Sequence, residues 1–198
     1  MKKIYLQIYR FGIYVAAGLL LVTACDSKNE QQTEQKAPID SIATRPEDVV
    51  VVSNQSEFLR TIVGNTTNHF YRGVDLGNAL NTIKTTETFE IFEDSTNHVS
   101  YTHETENFES VDVQYNLDKN KTVHDIKTDV YLNTKNSASS LWDQFDNYFS
   151  GRYVVTKATG KTKIWKTKDG VFIVLMDVSE GKDFGLQIKM GPDAARNL

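Results

Sequence analysis

The sequence predicts an α+β protein built on one mostly antiparallel sheet with helices on one face. Runs with an apolar residue at every second position, such as 111–117, predict strands with one apolar and one polar side. Two stretches with apolar residues at helical spacing predict amphipathic helices. The order of a helix followed by several strands occurs twice, so we expect two helix-plus-meander units, residues 70–134 and 137–190.

The composition supports one folded body, which we place at residues 49–198. Hydrophobic residues make up 39% of the 198 residues, which is enough for one ordinary core. The aromatic content of 11% is too high for a disordered chain.

The first part of the body shows two helical patterns and four strand patterns. A helix is predicted from Gln55 to Val63, ended by Gly64, after the β-branched run Val49–Val52. A second helix is predicted over 76–84, with Asp75 as its N-cap. The predicted strands are 89–92, 98–103, 111–117 and 123–132, with a turn at 118–121 between the last two.

The second part repeats this order. A broad apolar stripe predicts a helix that begins at the capping pair Asn136-Ser137 and is closed by Gly151. The predicted strands are 153–157, 162–167, 171–178 and 184–190, with hairpin turns at Asp169-Gly170 and 180–183.

The N-terminus has the pattern of a secretory signal. Lys2, Lys3 and Arg10 precede the apolar run 11–21, which is too short to span a bilayer as a helix. Val22-Thr23-Ala24-Cys25 follows, and Cys25 is the sole cysteine of the chain, so it has no partner for an internal disulfide.

These residues resemble the lipobox of bacterial lipoproteins. The resemblance implies that residues 1–24 are a signal peptide, that cleavage falls between Ala24 and Cys25, and that acylated Cys25 anchors the chain to a membrane. The alternative is an uncleaved signal anchor with an incidental cysteine. Asp26 resembles an inner-membrane retention signal in some bacteria, so inner membrane, outer membrane and cell surface all stay open.

Residues 25–48 are expected to be a lipid-anchored flexible tether. They contain almost no large apolar side chain, so they cannot offset the entropy lost on ordering.

The body resembles two groups of binding proteins. Its repeated order of helix and meander is similar to the tandem architecture of the secreted β-lactamase inhibitor protein, and more distantly to small lipoproteins of outer-membrane assembly. The segment 70–77, Phe-Tyr-Arg-Gly-Val-Asp-Leu-Gly, looks like the turn that opens the helix in such domains. A lipocalin-like barrel is the rival architecture.

The charge balance argues against nucleic acid as a partner. Without the three cations of the signal peptide, 19 basic side chains face 26 acidic ones, a net charge of about −7. A body of that sign repels a phosphate backbone.

Two short motifs match catalytic or nucleotide-binding patterns without their context. Gly160-Lys161-Thr162 lacks the earlier glycine of a phosphate-binding loop, since position 155 is valine. Ser179 and Lys182 have the spacing of serine β-lactamases but fall between two strands rather than on a helix. We interpret both as turns.

The sequence also shows no clear set of residues for a metal site or for a pair of catalytic carboxylates. His98 and His103 have opposite parity on one strand, so they point to opposite faces. A zinc site needs three or four converging ligands, and we expect no metal and no cofactor. We interpret the acids at 87, 90, 93, 94, 104, 106 and 109 as a solvated surface rather than a glycosidase pair.

Aromatic side chains on the strands are the remaining candidates for function. Tyr101, Tyr115 and Trp165, and also Tyr131 and Tyr153, would anchor a protein partner if an open sheet face displayed them, and would otherwise lie in the core. The sequence therefore predicts a lipid-anchored, non-enzymatic interaction module: an inhibitor, an immunity protein or an assembly factor for an envelope complex. A small-ligand-binding barrel is the second hypothesis, and an envelope hydrolase the third.

Overall fold

The computed structural model describes residues 56–196 and 198, which belong to the compact unit Arg45–Leu198. The predicted signal peptide, Cys25, the predicted tether and the run Val49–Val52 lie outside the described residues. In the described part the fold is α+β, with an antiparallel sheet and helices α1 (Glu57–Val63), α2 (Leu80–Thr86) and α3 (Lys135–Ser150).

Eight strands form the sheet. They are β1 (Glu90–Asp94), β2 (His98–Glu104), β3 (Ser110–Leu117), β4 (Val123–Leu132), β5 (Val154–Thr159), β6 (Thr162–Lys166), β7 (Phe172–Asp177) and β8 (Phe184–Gly191). Their order across the sheet is β1-β2-β3-β4-β8-β7-β6-β5, and every neighbouring pair is antiparallel. Among the strands that the structure describes, β1 and β5 are therefore the two outermost.

Alternation along the strands divides the sheet into two faces. In β3, Val111, Val113, Tyr115 and Leu117 are buried, while the residues between them are half-buried. Residues paired across strands share a face, so we name the buried side the Tyr115 face and the other side the Gln114 face. The pairs Tyr115–Ile126 and Ile126–Met190 carry the Tyr115 face into β4 and β8.

Helix α3 packs against the second half of the sheet. Its buried residues are Ala138, Leu141, Phe145, Tyr148 and Phe149. It contacts β4, β6, β7 and β8, and α1 contacts α3 in turn. Phe149 lies 5.3 Å from Trp165, measured between ring centroids, so the helix and β6 share one aromatic cluster.

The first helix ends where the sequence predicts. Ser56 caps α1 by accepting a hydrogen bond from the backbone N–H of Leu59, and Gly64 follows at φ 62°. A Cβ at Gly64 would lie 2.9 Å from the Cα of Arg72, so this position needs glycine for space as well as for conformation.

The second helix begins later than predicted. It covers Leu80–Thr86 rather than 76–84, and its N-cap is Ala79 rather than Asp75. The Asp75 carboxylate instead accepts from the Phe70 backbone N–H at 2.7 Å. The backbone N–H groups of Gly77 and Leu80 donate to carbonyls of Val123 and Lys121, so the residues before α2 are bonded to the β3–β4 turn region.

Both edge strands carry an irregularity. The register shifts between Ile91 and Glu93 in β1, and between Val155 and Lys157 in β5. Such bulges interrupt the ladder and make an edge a poorer template for another strand.

Candidate functional site

The three aromatic residues proposed for partner binding lie in the core. Tyr101 is 4% exposed, and Tyr115 and Trp165 are fully buried, so of the two placements that the sequence left open these three residues occupy the core. The reason is parity, because all three belong to the Tyr115 face. The Tyr115 hydroxyl donates to Glu87 at 2.7 Å, and the Trp165 Nε1–H donates to the Ser150 hydroxyl at 3.0 Å.

The other two aromatic candidates differ in exposure. Tyr131 of β4 is 51% exposed and pairs with Gly185, on the Gln114 face. Tyr153 is half-buried, with its ring centroid 6.4 Å from that of Phe149. Of the five aromatic candidates, Tyr131 is therefore the one that solvent reaches most freely.

A buried ion pair, Arg72 with Glu87, lies beneath the first half of the sheet. The Arg72 Nε donates to Glu87 Oε2 at 2.8 Å and its Nη2 donates to Oε1 at 2.6 Å. The two side chains are 3% and 0% exposed. The guanidinium also donates to the Ile62 carbonyl and lies 3.6 Å from the centroid of the Phe89 ring.

The electrostatics of this cluster favour its charged form. Burial raises the pKa of Glu87, but the hydrogen bonds and charge of Arg72, with the Tyr115 hydroxyl and the Phe89 backbone N–H, outweigh burial and leave that pKa lowered. Burial lowers the pKa of Arg72, and Glu87 more than offsets it. Burial, together with the Glu87 charge, raises the pKa of Tyr115.

The cluster is built for structure rather than catalysis. Both charged groups are saturated by partners inside the protein and closed to solvent, so neither can reach a substrate. The expectation that Glu87 belongs to a solvated surface of acids is wrong for this residue, because its side chain is buried. Its partner Arg72 lies in the segment 70–77, in a turn where Arg72 has φ 52° and Gly73 has φ 75°.

The histidines do not converge. His69 pairs with Asp75 and His98 pairs with Glu93, each at 3.0 Å, while His103 stacks on Phe89 at 4.8 Å. Within residues 56–196, no group of three or more potential metal ligands occurs.

The two short motifs fall in turns between strands. Gly160 and Lys161 form the β5–β6 turn, and Ser179 to Lys182 belong to the β7–β8 connection. The backbone N–H of Ser179 donates to the Asp177 carboxylate, which fixes the start of that connection.

The Gln114 face is the broadest candidate for a binding surface. Side-chain hydrogen bonds run across it: Thr102 to Asp112 at 2.7 Å, Gln114 to Asn116 at 2.6 Å, Asn116 to Asp125 at 2.6 Å, and Gln187 to Asp129 at 2.6 Å. Lys127 also pairs with Asp129 at 2.7 Å. These bonds hold polar groups in fixed positions on a half-exposed sheet, as a specific protein interface needs.

Charge is distributed unevenly along the chain. Residues 56–134 hold 13 acidic and 6 basic side chains, whereas residues 135–198 hold 7 acidic and 10 basic ones. Since β1 to β4 come from the first stretch and β5 to β8 from the second, the sheet has an acidic half and a basic half.

A cavity of about 440 Å³ lies between α3 and the β7–β8 connection. Trp142, Phe184 and Leu186 give it an apolar wall, and Lys135 and Asp177 give it charges of both signs. Its size is within the range of small-ligand sites.

The chain matches no protein-family model, no curated protein and no solved structure. Among the described residues, no helix is long and apolar enough to cross a membrane.

Proposed function

We propose that this chain is a lipid-anchored protein of the cell envelope whose body is a non-enzymatic protein-interaction module. In this proposal residues 1–24 are a signal peptide, Cys25 carries the acyl chains, and residues 25–48 tether the body. The Gln114 face carries the interaction role, because across β2, β3, β4 and β8 it presents a hydrogen-bonded polar surface.

The same proposal includes two structural units, residues 70–134 and 137–190. Their meanders would meet at β4 and β8, and their helices would cover the Tyr115 face. The strand order supports this arrangement, as do the bonds from Tyr115 to Glu87 and from Trp165 to α3, which lie on that face. The Gln114 face would then be free for an envelope or secreted protein, in inhibition, immunity or complex assembly.

A small-ligand-binding role is the second candidate. The cavity bounded by Trp142 and Phe184 favours it, because it joins an apolar wall to charged groups. The strand order speaks against the barrel version, in which β1 would have to pair with β5.

Photo-crosslinking tests the interaction role. A photoreactive residue is placed at Gln114 or Lys127 on the proposed surface, and at Asp143 on the exposed side of α3 as the matched control. We expect the same adduct from both face positions in intact envelopes and none from Asp143. Adducts from Asp143 alone, or from no position, would remove the Gln114 face as the binding surface.

The anchor has its own test. Labelling with a fatty-acid analogue should mark the chain, and Cys25→Ser should abolish the label and release the chain from envelopes after alkaline washing. A Cys25→Ser chain that stays with the envelopes would refute acylation as the anchor, while leaving the proposed interaction surface untouched.

A further inference from the structure

We propose that the β5–β6 edge of the sheet binds an anionic phospholipid surface. We define this basic edge by four exposed cations, Arg152, Lys157, Lys166 and Lys168, and two exposed valines, Val154 and Val155. This function goes beyond the interaction module, because it does not depend on Cys25 and uses the opposite half of the sheet from Gln114, where Lys157 and Lys166 lie on the same side as Gln114.

The charge of this edge is strongly one-sided. Residues 152–168 contain six basic side chains and no acidic one. One of the six, Lys163, is paired with Asp146 of α3. The four cations of the basic edge form no ion pair with any residue that the structure describes. Arg152 donates to the Tyr148 carbonyl and lies 3.8 Å from the centroid of the Tyr148 ring, and Lys166 lies 5.2 Å from that of Phe172. Neither contact neutralises a charge, so the four cations still attract an external anion.

The same edge exposes apolar surface beside the cations. Val154 is 72% exposed on the same side of the sheet as its cross-strand partner Lys166, and Val155, 41% exposed, lies on the opposite side of this outermost described strand. A cleft of about 420 Å³ includes Val154, and its lining also contains Tyr153, three of the cations and one acid: Arg152, Lys166, Lys168 and Asp169. Basic groups around a small apolar patch and a tyrosine are the composition that binds at a charged bilayer interface.

A lipid surface fits this edge better than an added protein strand. The register shift between Val155 and Lys157 disturbs the ladder that a new strand would need. Binding to a bilayer requires no strand pairing, and the long flexible side chains of lysine and arginine can reach the anionic headgroups. The acidic half of the sheet ends at β1, on the far side from β5, so contact through β5 keeps most acids away from the lipid.

The test uses the chain from residue 26 to residue 198, so that neither acyl chains nor the apolar run 11–21 contribute. This chain keeps every described residue, and the buried core of the described part runs from Leu59 to Met190. Binding is measured by co-sedimentation with phosphatidylcholine vesicles that contain about one-third phosphatidylglycerol, and with pure phosphatidylcholine vesicles.

We expect binding to the anionic vesicles that weakens as salt is added, and little binding to the neutral ones. The double variant Lys157→Gln with Lys166→Gln should partition about tenfold or more weakly, because each cation near an anionic surface contributes roughly fivefold. The matched control is Arg60→Gln with Lys119→Gln, which makes the same change in net charge at exposed sites elsewhere and should keep nearly full binding.

Equal binding to both vesicle types, or an equal loss in both double variants, would overturn the proposal. A second copy of the chain is the competing occupant, since Glu90, Glu93 and Asp94 on β1 have the opposite charge. Analytical ultracentrifugation without lipid tests for this dimer. A dimer that the double variant Lys157→Gln with Lys166→Gln abolishes would assign the edge to contact between two copies and overturn the lipid assignment.

Discussion

The Arg72–Glu87 pair shows how single residues organise the first half of the body. A charge taken out of water is tolerated only where its partners replace the lost hydration. Here the bidentate contact, the Tyr115 hydroxyl and the Ile62 carbonyl supply those partners, and they link α1, the 70–77 segment and β3. The pair therefore holds together three elements that are separate in the sequence.

Removing one charge of the pair should destabilise the protein strongly. We expect Glu87→Gln to lower the free energy of unfolding by about 3 kcal/mol, because Arg72 is left buried without its counter-ion. Urea unfolding measures the loss, with exposed Glu90→Gln as a control that should stay within about 0.5 kcal/mol of the wild type. Equal effects of the two variants would contradict the account of the pair.

The same pair makes stability depend on pH. The folded-state pKa of Glu87 is lowered from its ordinary value of 4.5, so its contribution is complete above that value and is lost as pH falls through the lower folded pKa. The stability gap between wild type and Glu87→Gln should be widest near pH 7 and should narrow near pH 3. Urea unfolding at both pH values checks this, and a gap that stays constant or widens in acid would refute it.

The role of Glu87 could not be predicted from sequence alone. It precedes β1, where neither strand nor helix periodicity applies, and it stands among acids that are exposed, such as Glu90 and Glu93. Its burial results from a contact with Arg72, fifteen positions earlier in the chain. Short-range pattern contains no information on such a pairing.

At the scale of elements, the spacing of apolar residues predicts the strands and helices whose ends are set by nearby residues. Strand β4 matches the predicted 123–132, and β3 and β8 differ from prediction by one residue at one end, because alternation and turn residues define them. Helix α2 differs, because the backbone of residues 77–80 bonds to the β3–β4 turn region and leaves only the later residues free to form a helix.

The start of α3 offers a test at this scale. The sequence suggests Asn136-Ser137 as the cap, whereas the structure places the N-cap at Thr134, whose hydroxyl accepts from the Ser137 backbone N–H at 3.0 Å. We expect Thr134→Ala to cost about 1 kcal/mol. Exposed Asn136→Ala should cost less than about 0.5 kcal/mol in the same thermal or urea unfolding measurement. The reverse order would show that the helix begins at the later residue.

At the scale of the whole molecule, the sheet separates three surfaces with different chemistry. The Tyr115 face holds most of the core, the Gln114 face of β2, β3, β4 and β8 holds bonded polar groups, and the β5–β6 edge holds cations that form no ion pair with the described residues. The sequence predicts the α+β class and the alternation of faces. It does not predict that Tyr101, Tyr115 and Trp165 fall on the inner side, because parity alone does not tell which face is covered.

A protection experiment tests the interaction role most directly. Single cysteines are introduced as Gln114→Cys on the proposed surface and Asp143→Cys on α3, and their alkylation rates are compared in intact envelopes and in the purified chain 26–198. In the proposed protein acylated Cys25 has no free thiol, so only the introduced cysteine reacts. We predict that envelopes protect Gln114→Cys several-fold and leave Asp143→Cys unchanged. Equal rates for Gln114→Cys in both samples, whatever the result for Asp143→Cys, would contradict the claim that the Gln114 face binds a partner.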